Sequence, residues 1–166
     1  MAALSAASAT PAPRPDRRSI VAGMKVRHNV RAVLLHDGHL VFLRRGWPGG
    51  PSYFETVGGG VEAGDADLEA ALRREVMEEI GATIGPPIGI LTSTDPGERV
   101  TVVRHYFLAD VLEVDASRRG GPELDDPDLG DFTPVRVPLD AAAVAALDLQ
   151  PPELAVWLRD YVTRRA

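Results

Sequence analysis

The sequence predicts a mixed α/β (α+β) fold, an α/β/α sandwich in which a mixed sheet lies between helices. Apolar runs of strand length stand before, between and after the helical segments. The helical segments instead repeat apolar residues every three or four positions, which indicates one buried face. An Asp-Gly pair also joins the first two apolar runs, as in a β-hairpin. Strands and helices interspersed in this way bury a sheet between layers of helices.

Length, charge and cysteine content limit the classes of protein that this chain can be. Its 166 residues suit one domain with a hydrophobic core. The formal net charge of −6 argues against a general nucleic-acid-binding surface, and no apolar run approaches the ~20 residues that a membrane helix needs. Without cysteine, neither disulfides nor thiolate metal sites can form. We therefore expect a cytoplasmic protein with no membrane segment.

Residues 1–20 differ in composition from the rest of the chain, because they are rich in Ala, Ser and Pro. A secretory signal needs early positive charge followed by a continuous apolar segment. Here Pro11, Pro13 and Pro15 interrupt the segment, and the arginines come late. We predict a disordered tail over residues 1–20 and a single domain over residues 21–166.

Strand signals begin with the predicted hairpin. Its turn is Asp37-Gly38, and two later runs turn at Pro96-Gly97, which suits a type II turn. Between these pairs, a Gly/Pro-rich loop carries the short aromatic stretch Tyr53-Phe54, for which core packing is the more common role than stacking on a nucleobase. The strands are predicted at residues 29–46, as the hairpin, then at 88–93, 99–114 and 132–139.

The main helix precedes the second pair of strands and has signals at both ends. Asp67 is the predicted N-cap and Gly81 the predicted C-cap. Two further helices are predicted at residues 140–147 and 152–165, the second with Pro152 in its first turn. The buried stripe of the main helix is predicted at Leu68, Leu72, Val76 and Ile80.

Three glutamates on the main helix are placed at an energetic cost. Glu75, Glu78 and Glu79 fall within one ~100° sector beside the buried stripe. Like charges three or four residues apart cost roughly 0.2–0.5 kcal/mol each. One interpretation is a solvated face on which Arg73 and Arg74 balance the charge. The other is a site for a hard divalent cation such as Mg²⁺, which prefers oxygen ligands and bridges carboxylates to phosphates.

The glycine-rich loop VGGGVEAGD, residues 57–65, lies directly before this helix. Such a loop lets the backbone approach a metal or a phosphate closely, although alone it is also typical of a plain turn. Loop and helix together resemble the Nudix box: Gly, five residues, Glu, seven residues, then Arg-Glu-apolar-x-Glu-Glu-x-Gly-apolar. The second half is complete from Arg74 to Ala82, and Gly59 and Glu62 occupy their usual places in the first half.

The chain departs from the box at its first glutamate position. Counting forward from Gly59 puts that position at Asp65, whereas counting back from Arg74 puts it at Ala66, so one residue is inserted. We expect Asp65 to substitute for the glutamate with a shorter reach. The alternatives are that Asp65 only helps to cap the helix, or that Glu62 fills the same role.

The resemblance to the Nudix hydrolase family implies a Nudix-like sandwich and a metal-dependent hydrolase. The reaction it implies is cleavage of a phosphoanhydride (pyrophosphate) bond in a nucleoside diphosphate linked to another group, by attack of water on phosphorus. It implies Mg²⁺, with Mn²⁺ as a substitute, and Arg74 as the residue that orients a glutamate. The metal ligands that it implies are Glu75, Glu78, Glu79 and the Gly58 carbonyl, with any of the glutamates as the base.

Several questions stay open at the level of sequence. Glu98 and Glu123 are candidates for the base or a further ligand, but both stand in loops where a solvated role is more common. Pro96 lies near the place where family members acting on ADP-ribose carry a proline. A role in the predicted turn is an equally good reason for a proline at this position. No substrate-binding residue is predicted, and a homodimer is left open.

Two other classes of function compete with this hydrolase. A catalytically weak or inactive Nudix-like module that binds nucleotide or metal is disfavoured, because degenerate members typically lose box glutamates and this chain keeps all three. A Ca²⁺-binding protein using the acidic segment of residues 122–131 lacks the spacing of an EF-hand loop. In either Nudix reading the expected partner is a small nucleotide-type molecule.

Overall fold

A computed structural model describes residues 25–46, 50–120 and 131–165 of the chain. The predicted tail over residues 1–20 and the candidate Glu123 lie outside the described residues. The strands are β1 (Lys25–His36), β2 (His39–Gly46), β3 (Ser52–Glu55), β4 (Ala82–Ile84), β5 (Ile88–Pro96), β6 (Val100–Val114) and β7 (Asp131–Pro138). The helices are α1 (Leu68–Ile80), α2 (Ala141–Ala145) and α3 (Pro152–Thr163), and Ala116–Arg118 forms a 3-10 turn.

The strands form one mixed sheet, as predicted. Its order is β3-β2-β1-β6-β4, with β5 also paired to β6 and β7 to β2. The long pairing of β1 with β6 is parallel, and the other pairings of these strands are antiparallel. The predicted hairpin joins β1 to β2, and Asp37 and Gly38 both have positive φ, 48° and 72°. Positive φ at both central residues is what a type I′ turn requires.

Helices cover both faces of the sheet, which confirms the predicted sandwich. On one face α1 packs over a core that includes Val30 and Leu43. On the other face α2 and α3 pack over a core that includes Phe42. Leu72, Val76 and Ile80 of the predicted α1 stripe are buried, and Leu68 in the first turn is partly buried. None of the described helices is long and apolar enough to span a bilayer.

The observed elements differ from the predictions in several places, among them β3, which forms within the predicted Gly/Pro-rich loop. Strand β4 was not predicted, because three residues directly after a helix are too few to show a strand pattern. Strand β5 continues to Pro96, and Gly97 lacks the positive φ of a type II turn, so the turn predicted at Pro96-Gly97 is wrong. Among the described strands β5 pairs with β6 alone, and such an edge strand tolerates a proline. Helix α3 ends at Thr163 rather than residue 165. None of these differences moves the elements that carry the box.

The glycine-rich loop enters the sheet beside β1. Ala32 donates its N–H to the Val57 carbonyl at 2.7 Å, and Val30 donates to the Gly59 carbonyl at 2.9 Å. Gly58 between these acceptors has a φ of 134°, and a Cβ there would collide with the Val30 carbonyl oxygen. Only glycine fits this position. The pairing therefore fixes the loop against the sheet at the point that α1 faces.

Candidate active site

Both ends of α1 are capped at the predicted residues. The Asp67 carboxylate accepts the Ala70 N–H at 2.8 Å. Gly81 adopts the left-handed conformation and donates its N–H to the Met77 carbonyl at 2.9 Å. Such caps satisfy backbone groups that a helix end leaves without partners. They fix where the three glutamates stand relative to the glycine loop.

Arg74 is the centre of the charge network on α1. Its Nη1 donates to Glu75 Oε1 at 2.9 Å and, as an i,i+4 pair, to Glu78 Oε2 at 3.0 Å. Its Nε and Nη2 donate to the two oxygens of Asp65, each at 3.1 Å. Nη2 also donates to the Gly60 carbonyl at 2.9 Å. The hydrogen bond to Asp65, with the neighbouring carboxylates, raises the pKa of Arg74 further above its ordinary value.

The structure separates the roles of the two aspartates before α1. Asp67 caps the helix, whereas Asp65 faces Arg74 and accepts the Glu62 N–H at 2.8 Å. The Asp65 side chain is 7% exposed, and its hydrogen bond from Arg74 lowers its pKa. Glu62 is 69% exposed and stands 3.7 Å from Arg74. Of the two acids, Asp65 has the closer contact with the box arginine.

Glu79 is a partly buried acid that lies against the glycine loop. Its Oε2 accepts the Gly58 N–H at 2.6 Å. Burial raises the pKa of Glu79 to about 8, although the Gly58 N–H and the charge of Arg31 both oppose the rise. In the protein alone, the side chain therefore holds its proton at neutral pH. A cation beside it would favour the ionised form.

Glu75 lies against the next glycine of the loop. A Cβ at Gly59 would stand 2.6 Å from Glu75 Oε2, so the absence of a side chain there makes room for the carboxylate. The Glu75 side chain is 12% exposed and that of Glu78 is 37% exposed. Glu75, Glu78 and Glu79 are thus all partly buried along one edge of the loop.

The donor chemistry of this site suits a hard divalent cation, because the candidate groups are all oxygen. Within residues 25–46, 50–120 and 131–165, however, no three Asp, Glu or His side chains already converge as a metal-binding set. Arg74 holds Glu75 and Glu78, and the Gly58 N–H holds Glu79. Metal ligation by these residues therefore stays a prediction.

A small cavity of about 220 Å³ opens beside Glu79. Three arginines line it, and two of them pair with one acid: Arg31 with Glu55 at 3.0 Å and Arg45 with Glu55 at 3.2 Å. Arg45 also lies over the Phe132 ring, 4.3 Å from its centre. The lining consists of Arg27, Asn29, Arg31, Arg45, Glu55, the glycines 58–60, Glu79 and Phe132.

A large cavity of about 910 Å³ lies on the α3 side of the sheet. It shares Arg31 and Glu55 with the small cavity. Tyr53, which is 45% exposed, lines it, and Phe54 both lines it and packs against the core under α3. Its other walls include residues 91–95 of β5, Arg104 and Tyr106 of β6, and residues 148–153, which run from the α2–α3 connection into the first turn of α3.

The remaining sequence candidates stand apart from these cavities. Glu98 is exposed in the turn between β5 and β6 and lines neither cavity. His105 Nε2 lies 3.0 Å from His28 Nδ1, and the two rings stack. Pro96 ends β5 and pairs with Thr101 across the turn.

Sequence reasoning missed the arginines on the strands. Arg31 stands in β1 between buried Val30 and Ala32, and alternation alone makes it an ordinary polar position. In a sandwich, however, both faces of a central strand are covered. A charged residue on a covered strand indicates a nearby group of opposite charge, because a buried charge needs a partner. This was the signal by which Arg31 could have been found.

Arg119, after the 3-10 turn, was also missed. Its Nε donates to the Glu79 carbonyl at 2.6 Å, and its Nη2 donates to the Phe132 carbonyl at 3.2 Å. The next residue, Gly120, donates its N–H to the Glu78 carbonyl at 2.9 Å. This segment therefore holds the last turn of α1 through the backbone of two box glutamates.

We expect Arg119→Ala to lower kcat by about tenfold. A charge-assisted hydrogen bond contributes roughly 1.5–3 kcal/mol, and its loss loosens the helix end that carries Glu78 and Glu79. Steady-state kinetics and Tm measure the effect. The matched control is Arg118→Ala, which removes the same charge one residue earlier, from an exposed side chain that makes no bond to α1 among the described contacts. Equal kinetics in the two variants would contradict the prediction.

Solved structures similar to this chain share the Nudix fold. A NUDIX hydrolase from Nitrosomonas europaea matches with a TM-score of 0.61 at 18% identity, over 82% of this chain and 90% of that one. An ADP compounds hydrolase matches with a TM-score of 0.63 at 19% identity, over 84% and 75%. The E. coli ORF135 protein matches with a TM-score of 0.58 at 22% identity, over 86% and 93%. At sequence identities this low, the structural similarity shows the fold alone.

The sequence itself matches the NUDIX domain family over residues 26–161. The chain therefore belongs to that family, and it is a Nudix hydrolase. No curated protein matches it at a significant level. Nudix hydrolases generally use divalent metal ions and act on small nucleotide-type molecules.

Proposed function

We propose that the protein is a Mg²⁺-dependent hydrolase, with Mn²⁺ as a substitute, that cleaves a phosphoanhydride bond in a nucleoside diphosphate linked to another group. One observation carries the proposal. Glu79 and three arginines line the same small cavity, so groups that attract a cation and groups that attract a phosphate stand side by side. Hydrolysis of a polyphosphate requires both kinds of group at the reacting phosphorus. The proposed location is the cytoplasm, and the proposal is compatible with either a monomer or a homodimer.

The residues that would hold the ion are Glu75, Glu78, Glu79 and the carbonyl of Gly58. When bound, a divalent ion supplies neutralising charge on the phosphate oxygens and lowers the pKa of bound water. The fit rests on all-oxygen donors, and on a partly buried Glu79 whose raised pKa a neighbouring cation would lower.

The other residues of the site bind and orient. Arg27, Arg31 and Arg45 would attract the diphosphate, since guanidinium groups suit phosphate oxygens. Arg74 holds Glu75 and Glu78 in fixed rotamers through charge-assisted hydrogen bonds. The water that attacks phosphorus must lose a proton, and the three glutamates are the candidates to accept it.

The test is a screen of nucleotide sugars, dinucleotides, ADP-ribose and nucleoside triphosphates with Mg²⁺ or Mn²⁺, read by separation of the products. We expect release of a nucleoside monophosphate from at least one diphosphate-linked substrate, abolished by EDTA. Binding of these compounds without metal-dependent product would instead identify a non-catalytic binding module.

A further inference from the structure

The two cavities meet at one ion pair. Arg31 and Glu55, 3.0 Å apart, line both the small cavity and the large cavity. Arg31 Nη1 also donates to the Thr56 carbonyl at 3.0 Å, so its guanidinium is fixed at the junction. A ligand longer than the small cavity can therefore extend directly into the large cavity on the α3 side of the sheet.

The charges of the two cavities are opposite. The small cavity has three arginines against Glu55 and Glu79. The large cavity has four carboxylates against two arginines, and both arginines are paired, Arg31 with Glu55 and Arg104 with Asp95 at 3.4 Å. Its other two carboxylates, on Asp148 and Glu153, have no ion-pair partner within the described part of the chain.

The size and lining of the large cavity suit an uncharged group. Its 910 Å³ lies near the upper end of the ~300–1,000 Å³ typical of small-molecule sites, which leaves room for a base with its ribose. Tyr53 and Phe54 offer aromatic surface. Carboxylates accept hydrogen bonds from hydroxyl groups, whereas they repel a phosphate.

We infer that the large cavity takes the nucleoside end of the substrate, and that it selects a nucleoside whose ribose hydroxyls carry no phosphate. This inference rests on the proposed function in one respect, which is that the diphosphate of the substrate binds in the small cavity. Arg31 then contacts the phosphate next to the nucleoside. Asp148 and Glu153 accept hydrogen bonds from the uncharged end and oppose any further negative charge there.

The test compares binding of AMP and of adenosine 3′,5′-bisphosphate by isothermal titration calorimetry. The two probes share one nucleoside and one 5′-phosphate, so they differ only by the phosphate on the ribose. We expect the wild type to bind AMP at least about fivefold more tightly, the effect of two nearby carboxylates on a phosphate in partly screened solvent. In the double variant Asp148→Asn, Glu153→Gln the preference should shrink to about twofold or less.

The matched control is the double variant Glu113→Gln, Asp160→Asn. It removes the same charge from exposed residues that line neither cavity, and the wild-type preference for AMP should persist. Equal affinity for the two probes in the wild type, no binding of AMP, or an unchanged preference in the Asp148, Glu153 variant would each overturn the inference. Because the readout is binding, an enzyme that hydrolyses nothing in the product screen would overturn the proposed function and leave this result intact.

Discussion

Glu79→Gln is expected to lower kcat by at least ~10²-fold, the scale of losing a strong electrostatic contributor, while the fold survives. Glutamine keeps the shape of the side chain, and its carbonyl can still accept the Gly58 N–H that Glu79 accepts at 2.6 Å. It has no charge with which to hold a divalent cation. Steady-state kinetics at saturating Mg²⁺ measures the loss. Turnover equal to that of the wild type would exclude Glu79 as a metal ligand.

The same variant has a second, opposite effect on the metal-free protein. Burial raises the pKa of Glu79 to about 8 from an ordinary 4.5, so between these values the native state keeps a proton that the unfolded chain has released. The native state binds more protons, and wild-type stability therefore falls as the pH rises through this window. Glutamine does not titrate. The Tm of Glu79→Gln in EDTA should rise relative to the wild type as the pH increases from 4.5 to about 8.

Glu69→Gln is the matched control for both effects. Glu69 is on the same helix, is 50% exposed and pairs with Arg73 at 2.6 Å, away from the glycine loop. Its replacement should leave kcat unchanged. A Tm difference for Glu79→Gln that does not grow with pH would show that the carboxylate is not held in its neutral form by burial.

The parts of this fold that the sequence predicts are those with local causes. Asp67 and Gly81 delimit α1 because each satisfies backbone groups within four residues of itself. Asp37-Gly38 forms the hairpin turn because its two residues tolerate positive φ. The box could also be recognised, because its residues are near neighbours on one loop and one helix. The three-residue β4 has no comparable local signal.

The parts that could not be predicted depend on long-range pairing. Arg31 meets Glu55 only because the loop after β3 enters the sheet beside β1. Arg119 reaches α1 only because the chain after β6 returns to the end of that helix. The spacing of residues in the sequence does not indicate either of these two contacts. The small cavity therefore could not be anticipated, although every residue of it was visible.

Asp65 lies between these two cases. The inserted residue was visible from the spacing, but spacing could not say whether Asp65 capped the helix or faced Arg74. The three-dimensional course of the loop decides this, because Asp67 already accepts the Ala70 N–H and leaves Asp65 to the arginine. The first half of the box thus keeps a carboxylate beside Arg74 despite the insertion.

Arg74→Ala is expected to lower kcat by ~10²-fold or more and to destabilise the metal-free protein. The substitution leaves Asp65, Glu75 and Glu78 close together without the cation that all three contact at 2.9–3.1 Å. Leaving such carboxylates uncompensated costs on the order of 2 kcal/mol, below the value for a fully buried pair because Glu78 is partly solvated. Denaturant unfolding in EDTA measures the loss, and Mg²⁺ should restore more stability to this variant than to the wild type.

Two companion variants separate charge from geometry at Arg74. Arg74→Lys keeps the positive charge but cannot reproduce a fork that contacts Asp65 on one side and two glutamates on the other. It should therefore recover most of the stability and little of the turnover. Asp65→Asn removes the charge that Arg74 pairs with and keeps an oxygen for the Glu62 N–H, so a several-fold loss of turnover at nearly unchanged Tm is expected. Wild-type turnover in Arg74→Lys would mean that Arg74 only neutralises charge, because a lysine could not hold the glutamates in place.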